Sequence, residues 1–246
     1  MTRILAPIAG GVLALCCAQA AAAQDWQYKA TLYGWFPGLS SSIETPFGDV
    51  HADVGSSDVI AALDMAFMGS FAAQNGRTAL VFDYLYADVS ASEKTPFGKL
   101  FKEAKVDTRL SAFSGYLLYQ LATDSPVAID AGLGFRHFNL DIGTKLTPGL
   151  ARGRSSNLSD AWTDGLIAAR VRAPLNDLFY LHGFADAGMG TSDSSTWQVY
   201  AGFGYQIDPS WSVEAGWRYM DLSGEAEGKD VSLDLSGALV GLSYAF

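Results

Sequence analysis

The stretch WQVYAGFGYQIDPSWSVEAGWRY, residues 197–219, decides how the chain is read. Its first half sets Trp197, Val199, Ala201, Phe203, Tyr205 and Ile207 on one side. Gln198, Tyr200, Gly202, Gly204 and Gln206 stand on the other. After the short turn Asp208-Pro209-Ser210 the pattern returns. Trp211, Val213, Ala215, Trp217 and Tyr219 now oppose Ser212, Glu214, Gly216 and Arg218. Period two over this length is a strand pattern. A soluble sandwich shares the period but hides its apolar face. Aromatics at strand ends, with small or charged residues opposite, mark a membrane β-barrel instead.

Composition agrees. Charged residues make up 17% of the 246, few for a soluble domain, and aromatics reach 13%. Beyond residue 23 no run holds the roughly 18 apolar residues of a membrane helix. Residues 1–23 read as a secretory signal peptide: Arg3 as basic start, apolar residues 4–18, then small-residue cleavage sites. Cys16 and Cys17 both fall there, and Leu15 before Cys16 disfavours a lipoprotein site. The expected barrel, residues 24–246, therefore has no cysteine and no disulfide. Without Arg3 it carries 15 basic and 26 acidic residues, a net charge of -11. That balance argues against nucleic acid as a partner.

Short turns near residues 74–77, 123–126, 175–177 and 208–210 alternate with long polar connections near 40–60, 90–106, 143–160, 189–196 and 223–231. Bacterial barrels place short turns in the periplasm and long loops outside. Ten strands follow, at 26–43, 62–74, 78–92, 106–122, 126–142, 160–174, 178–189, 196–207, 211–223 and 231–246. Residues 55–64, GSSDVIAALD, read either as a short helix capped by Ser57 or Asp58 or as a bulged strand. That segment leaves eight or twelve strands as alternatives. Thr-Pro-Phe-Gly occurs twice, at 45–48 and 95–98, each with turn chemistry. These are the expected tips of two stiff outer hairpins. Phe47 and Phe97 become exposed contacts for a partner or for lipopolysaccharide.

By alternation the inward face carries Lys29, Asp83, Asp130, Arg136, Asp164, Arg170, Arg172, Asp186, Glu214 and Arg218. Five bases against five acids suit a paired network in the lumen, because an unpaired buried charge is expensive. It serves as either a plug or an ion path. His51 falls in an outer loop. His182 faces inward, about 13 Å along the strand from Asp186. His137 faces outward near the outer rim. No HExxH, CxxC, Walker or GxSxG pattern occurs, so no metal, cofactor or nucleotide site is expected. Loop bases such as Lys99, Lys102, Lys105 and Arg154 suit lipopolysaccharide phosphates.

The chain ends GALVGLSYAF. Gly241, Tyr244 and Phe246 fit Gly-x-x-aromatic-x-aromatic, which resembles the C-terminal signal recognised by the outer-membrane assembly machinery. Leu239 departs from it, standing where a polar residue is common. The whole chain resembles the small proteobacterial outer-membrane barrels of the OmpA-like, OmpW-like and opacity-protein sort. Residues 63–90 are similar to a hairpin of a largely uncharacterised group of them. The resemblance implies an outer-membrane location and that assembly machinery as a partner. Some outer-membrane lipid A deacylases carry a catalytic His on the face of His137, but with Ser two residues on, where this chain has Asn139. The expectation is therefore an all-β, transmembrane, antiparallel up-and-down barrel in contact with outer-membrane lipid. It is monomeric, not an enzyme, and either structural or a narrow passive pore. The alternatives are a plugged adhesive or ligand-contact barrel and a lipid A-modifying enzyme.

Overall fold

In the computed structural model, residues 26–45, 48–94, 101–122, 125–149, 153–190, 194–226 and 229–246 are described. The expected leader and the tip residues Phe47 and Phe97 lie outside them. The elements run β1 (Trp26–Thr45), β2 (Gly48–Val54), α1 (Ser56–Ala61), β3 (Leu63–Asn75), β4 (Thr78–Lys94), β5 (Phe101–Gln120), β6 (Ala128–Pro148), β7 (Arg154–Pro174), β8 (Phe179–Gly190), β9 (Ser195–Gln206), β10 (Trp211–Ala226) and β11 (Lys229–Ala245). From β3 to β11 each strand pairs antiparallel with the next. The ring shuts where β1 meets β11, from Lys29↔Ala245 to Ile43↔Val231.

The other edge of β1 is shared. β3 takes its lower part, Trp26↔Asn75 to Leu32↔Gly69, and β2 its upper part, Leu39↔Val54 to Thr45↔Gly48. β2 is thus an outer hairpin arm and the closed ring has ten strands. α1 sits between the two arms. Its N-cap is Gly55, not Ser57 or Asp58, and no side chain caps it. The chain leaves β2 still extended, so helical geometry begins at Ser56. The Gly55 carbonyl accepts from the N–H groups of Asp58 and Val59, both at 3.0 Å. The bulge is present too, as a register shift between Leu63 and Met65.

β5, β6 and β7 run further than the sequence suggests. Asp107↔Gly143 and Gly143↔Asn157 are ladder pairs, although residues 143–160 read as a loop. Beyond the lipid belt both faces meet water. Apolar alternation fades there while backbone pairing continues.

The outward face is apolar. Leu133 and Ile167 are 66% and 65% exposed, and Phe82, Leu117, Phe203, Trp217 and Leu242 stand out beside them. A band this continuous is a lipid-facing surface. At the short-turn end aromatics form a girdle. Trp211 and Tyr244 pair at 4.8 Å, Phe179 and Tyr205 at 5.1 Å, Tyr28 and Phe246 at 5.6 Å. Such rings favour the membrane–water boundary. The short turns are tied down by side chains. Gly76 has φ 54°, and Arg77 donates to the carbonyls of Gln120 and Leu121.

Inward glycines make room for tyrosines. A Cβ on Gly204 would lie 1.9 Å from Cζ of Tyr180, its ladder partner, and one on Gly202 would lie 2.0 Å from the Tyr200 hydroxyl. Gly204→Ala is expected to lower unfolding stability by about 1–3 kcal/mol through overpacking. In a Tyr180→Ala background the penalty should fall close to zero, as read by a double-mutant cycle in urea.

Candidate functional site

The lumen is the candidate site. Strand parity decides which side chains enter it. On β6, Leu133 and Phe135 face out, so Asp130, Arg136 and Phe138 face in. On β10, Trp217 faces out, so Glu214, Arg218 and Met220 face in.

Three zones stack along the axis. Towards the long-loop end lies an apolar stopper of Trp35, Met68, Leu85, Phe138, Met220 and Leu235, with Leu39, Leu110, Trp162 and Leu233 against it. Phe138 and Met220 are 0% and 1% exposed.

Below it lies a polar layer. Arg136 donates to Ser114 Oγ (3.0 Å), Thr196 Oγ1 (3.1 Å), Tyr116 Oη (2.8 Å) and Asp186 Oδ2 (2.6 Å). Gln198 Nε2 donates to the same Asp186 oxygen, and its Oε1 accepts from Arg218 Nε at 2.9 Å. Arg218 also reaches Tyr33 Oη (3.1 Å) and Asp83 Oδ1 (3.5 Å), while Tyr33 donates to Asp83 Oδ2 (2.9 Å). The layer joins β1, β4, β5, β6, β8, β9 and β10. The two guanidinium groups also cover the stopper's aromatics. Arg218 lies 4.9 Å from the centre of the Trp35 ring and Arg136 lies 5.9 Å from that of Phe138. Asp164 stands opposite Arg136 in the ladder and accepts from Ser194 Oγ at 2.6 Å.

The third zone is the short-turn half. Arg170 pairs with Asp130 at 2.7 Å and His182 Nδ1 meets Glu214 Oε1 at 2.8 Å. Arg172 lies over the Tyr180 ring at 3.9 Å, on the exposed rim. Lys29 borders a cavity of about 150 Å³ that reaches up to Tyr33 and Arg218.

All ten inward charges named from the sequence sit in the polar layer or the short-turn half. His182 meets Glu214, two strands away, rather than Asp186. Sequence reading missed Tyr33, Ser114, Tyr116, Thr196 and Gln198, which complete the hydrogen bonding. Their parity was the available signal. Gly241, Tyr244 and Phe246 lie on β11 and just after it. The Phe246 N–H and C=O bond the Tyr28 backbone, both at 3.0 Å.

On the outer face His137 Nδ1 meets Thr163 Oγ1 at 2.8 Å, and Asn139 Nδ2 reaches Ser111 Oγ at 3.5 Å. No carboxylate orients His137 among the described residues. Beyond the belt Lys105 and Ser90 bond Asp107 at 2.8 and 2.7 Å, which holds its carboxyl below the usual carboxylate range. Exposed pairs of this kind contribute little to stability.

No protein-family model and no curated protein matches the chain. Among solved structures it is similar to the outer membrane protease OmpT of Escherichia coli, with a TM-score of 0.54 and 11% identity over 90% of this chain and 97% of that one. It is also similar to the transport unit of the autotransporter AIDA-I of Escherichia coli, at TM-score 0.44 and 11% identity over 93% and 92%. Neisserial surface protein A follows at TM-score 0.36 and 13% identity over 90% and 97%. The likeness to OmpT is one of fold.

Arg136 is fully buried, so removing its carboxylate partner strands a charge. Asp186→Ala is expected to cost about 3–5 kcal/mol. Arg136→Met combined with Asp186→Leu should recover most of that loss, as measured by denaturant unfolding in lipid or detergent.

Proposed function

We propose that the chain is an outer-membrane β-barrel with a closed lumen, serving envelope structure and surface contact rather than solute passage. The observation that carries this reading is the stopper and polar layer together. Phe138, Met220 and Arg136 are almost wholly without solvent contact across the middle of the ring. A small barrel's interior is filled by its side chains, whereas porins leave an aqueous channel. The narrow passive pore is the rival, since the lumen is charged.

The apolar belt, the aromatic girdle and the OmpT-like fold support placement in the outer membrane of a Gram-negative cell. Short turns, with the start of β1 and the end of β11, then face the periplasm. The long ends of β4–β7, and of β1, β2, β10 and β11, stand outside. Arg109 and Lys145 interleave there with Asp88 and Asp141 on the outward face, a surface suited to lipopolysaccharide phosphates and bridging cations. The barrel works as a monomer, with the assembly machinery reading Gly241, Tyr244 and Phe246.

Planar-bilayer recording of the folded protein is the direct test. The expected trace is silent. Discrete conductance steps that change in Arg218→Ala would make the lumen a path and overturn this reading.

A further inference from the structure

The closed lumen leaves one space unfilled, the cavity in its short-turn half. Its polar walls are unequally served. At the top, Arg218 and Asp83 answer each other. Arg170 is taken by Asp130, and Glu214 by His182. Thr31 Oγ1 and Ser243 Oγ bond each other at 2.8 Å. Two lining groups stand apart. The Lys29 ammonium has no ion pair or hydrogen bond among the described residues, and the charges that act on it are Arg172, Glu214 and Arg170. The Tyr200 hydroxyl is buried, its residue 7% exposed, and it meets no group at hydrogen-bonding geometry, although the Glu214 carboxylate acts on it.

A lone buried donor and a lone buried cation each carry a desolvation cost of kcal/mol size. In this half three fixed cations (Lys29, Arg170 and Arg172) face two carboxylates, Asp130 and Glu214. The surplus is positive. The space, about 150 Å³, has room for a small polyatomic anion. Access is one-sided, because the polar layer and stopper roof the cavity while Arg172 is exposed at the short-turn rim.

We propose that this cavity is a binding site for a small oxyanion, a carboxylate or a phosphate, held by the Lys29 ammonium and the Tyr200 hydroxyl. Glu214 lines the same cavity, with His182 Nδ1 on its Oε1. Arg172, laid on the Tyr180 ring, draws the anion in from the rim. The direction of entry rests on the closed-lumen reading, while the binding itself rests only on the cavity.

The test is calorimetric titration of the folded full-length barrel in detergent with inorganic phosphate and, separately, acetate. Saturable one-to-one binding of at least one of them is expected. Which anion binds more tightly assigns the ligand to the phosphate or the carboxylate class. Lys29→Met should weaken binding about tenfold or more, the scale of a lost charge-assisted hydrogen bond. Lys29→Arg should retain most of it, and Tyr200→Phe should weaken it less than Lys29→Met does. Met matches the length of the lysine stem and buries no charge, so the fold is expected to survive. Heat-modifiable gel migration checks that it does. No saturable heat with either anion, or unchanged affinity in folded Lys29→Met, overturns the proposal. Conductance of the same preparation keeps the two readings apart. A silent barrel without binding removes the site alone, and a conducting barrel that binds removes the closure alone.

Discussion

Every feature of this protein depends on the closing seam between β1 and β11. In hydrocarbon there is no water to satisfy a strand edge, so each unpaired N–H or C=O costs several kcal/mol. The seam runs from Lys29↔Ala245 to Ile43↔Val231 and pairs that edge of β1 along the height of the ring. Ring closure also fixes parity on all ten strands at once. A slip of one residue anywhere would turn lipid-facing leucines inward and arginines into the membrane.

The ring's size then dictates its interior. Ten strands leave a space that side chains nearly fill, and the chain fills it differently at different heights. Bulky apolar groups occupy the outer half. In the middle, two arginines are shared among two carboxylates, two tyrosines and a glutamine. Neighbouring strands are joined by backbone pairing, so side-chain links across the lumen brace the ring in directions that the ladder cannot. Glycine placement belongs to the same scheme. Gly202 and Gly204 are empty positions that let the rings of Tyr200 and Tyr180 lie flat along the wall.

Much of this was legible in the sequence, for a physical reason. Within the belt, one face meets lipid and the other meets packed polar groups, so residues 197–219 display the contrast openly. The ten lumen charges followed from parity alone. What stayed hidden had no such contrast. The outer ends of β5–β7 are wetted on both faces and read as loops. The partnership of His182 with Glu214 crosses two strands and depends on stagger between them, which no single-strand pattern records. Tyr33 on β1 and Asp83 on β4 stand on strands that do not pair with each other. Their hydrogen bond therefore skips a strand, and no single-strand pattern records it.

The backbone exchange between Tyr28 and Phe246 joins residues separated by almost the whole chain. In equilibrium terms that distance is cheap, since each doubling of a closed loop adds only about 0.6 kcal/mol. In time it is not. β3 to β11 can zip by successive local hairpins, but β1 must wait beside β3 until the far end of the sheet curls round. Until then two raw edges face outward, one on each side of an unfinished sheet. Long-range pairing is slow and unpaired edges invite foreign strands. The hazard in making this protein is therefore a matter of duration, set by how long an almost complete sheet stays open.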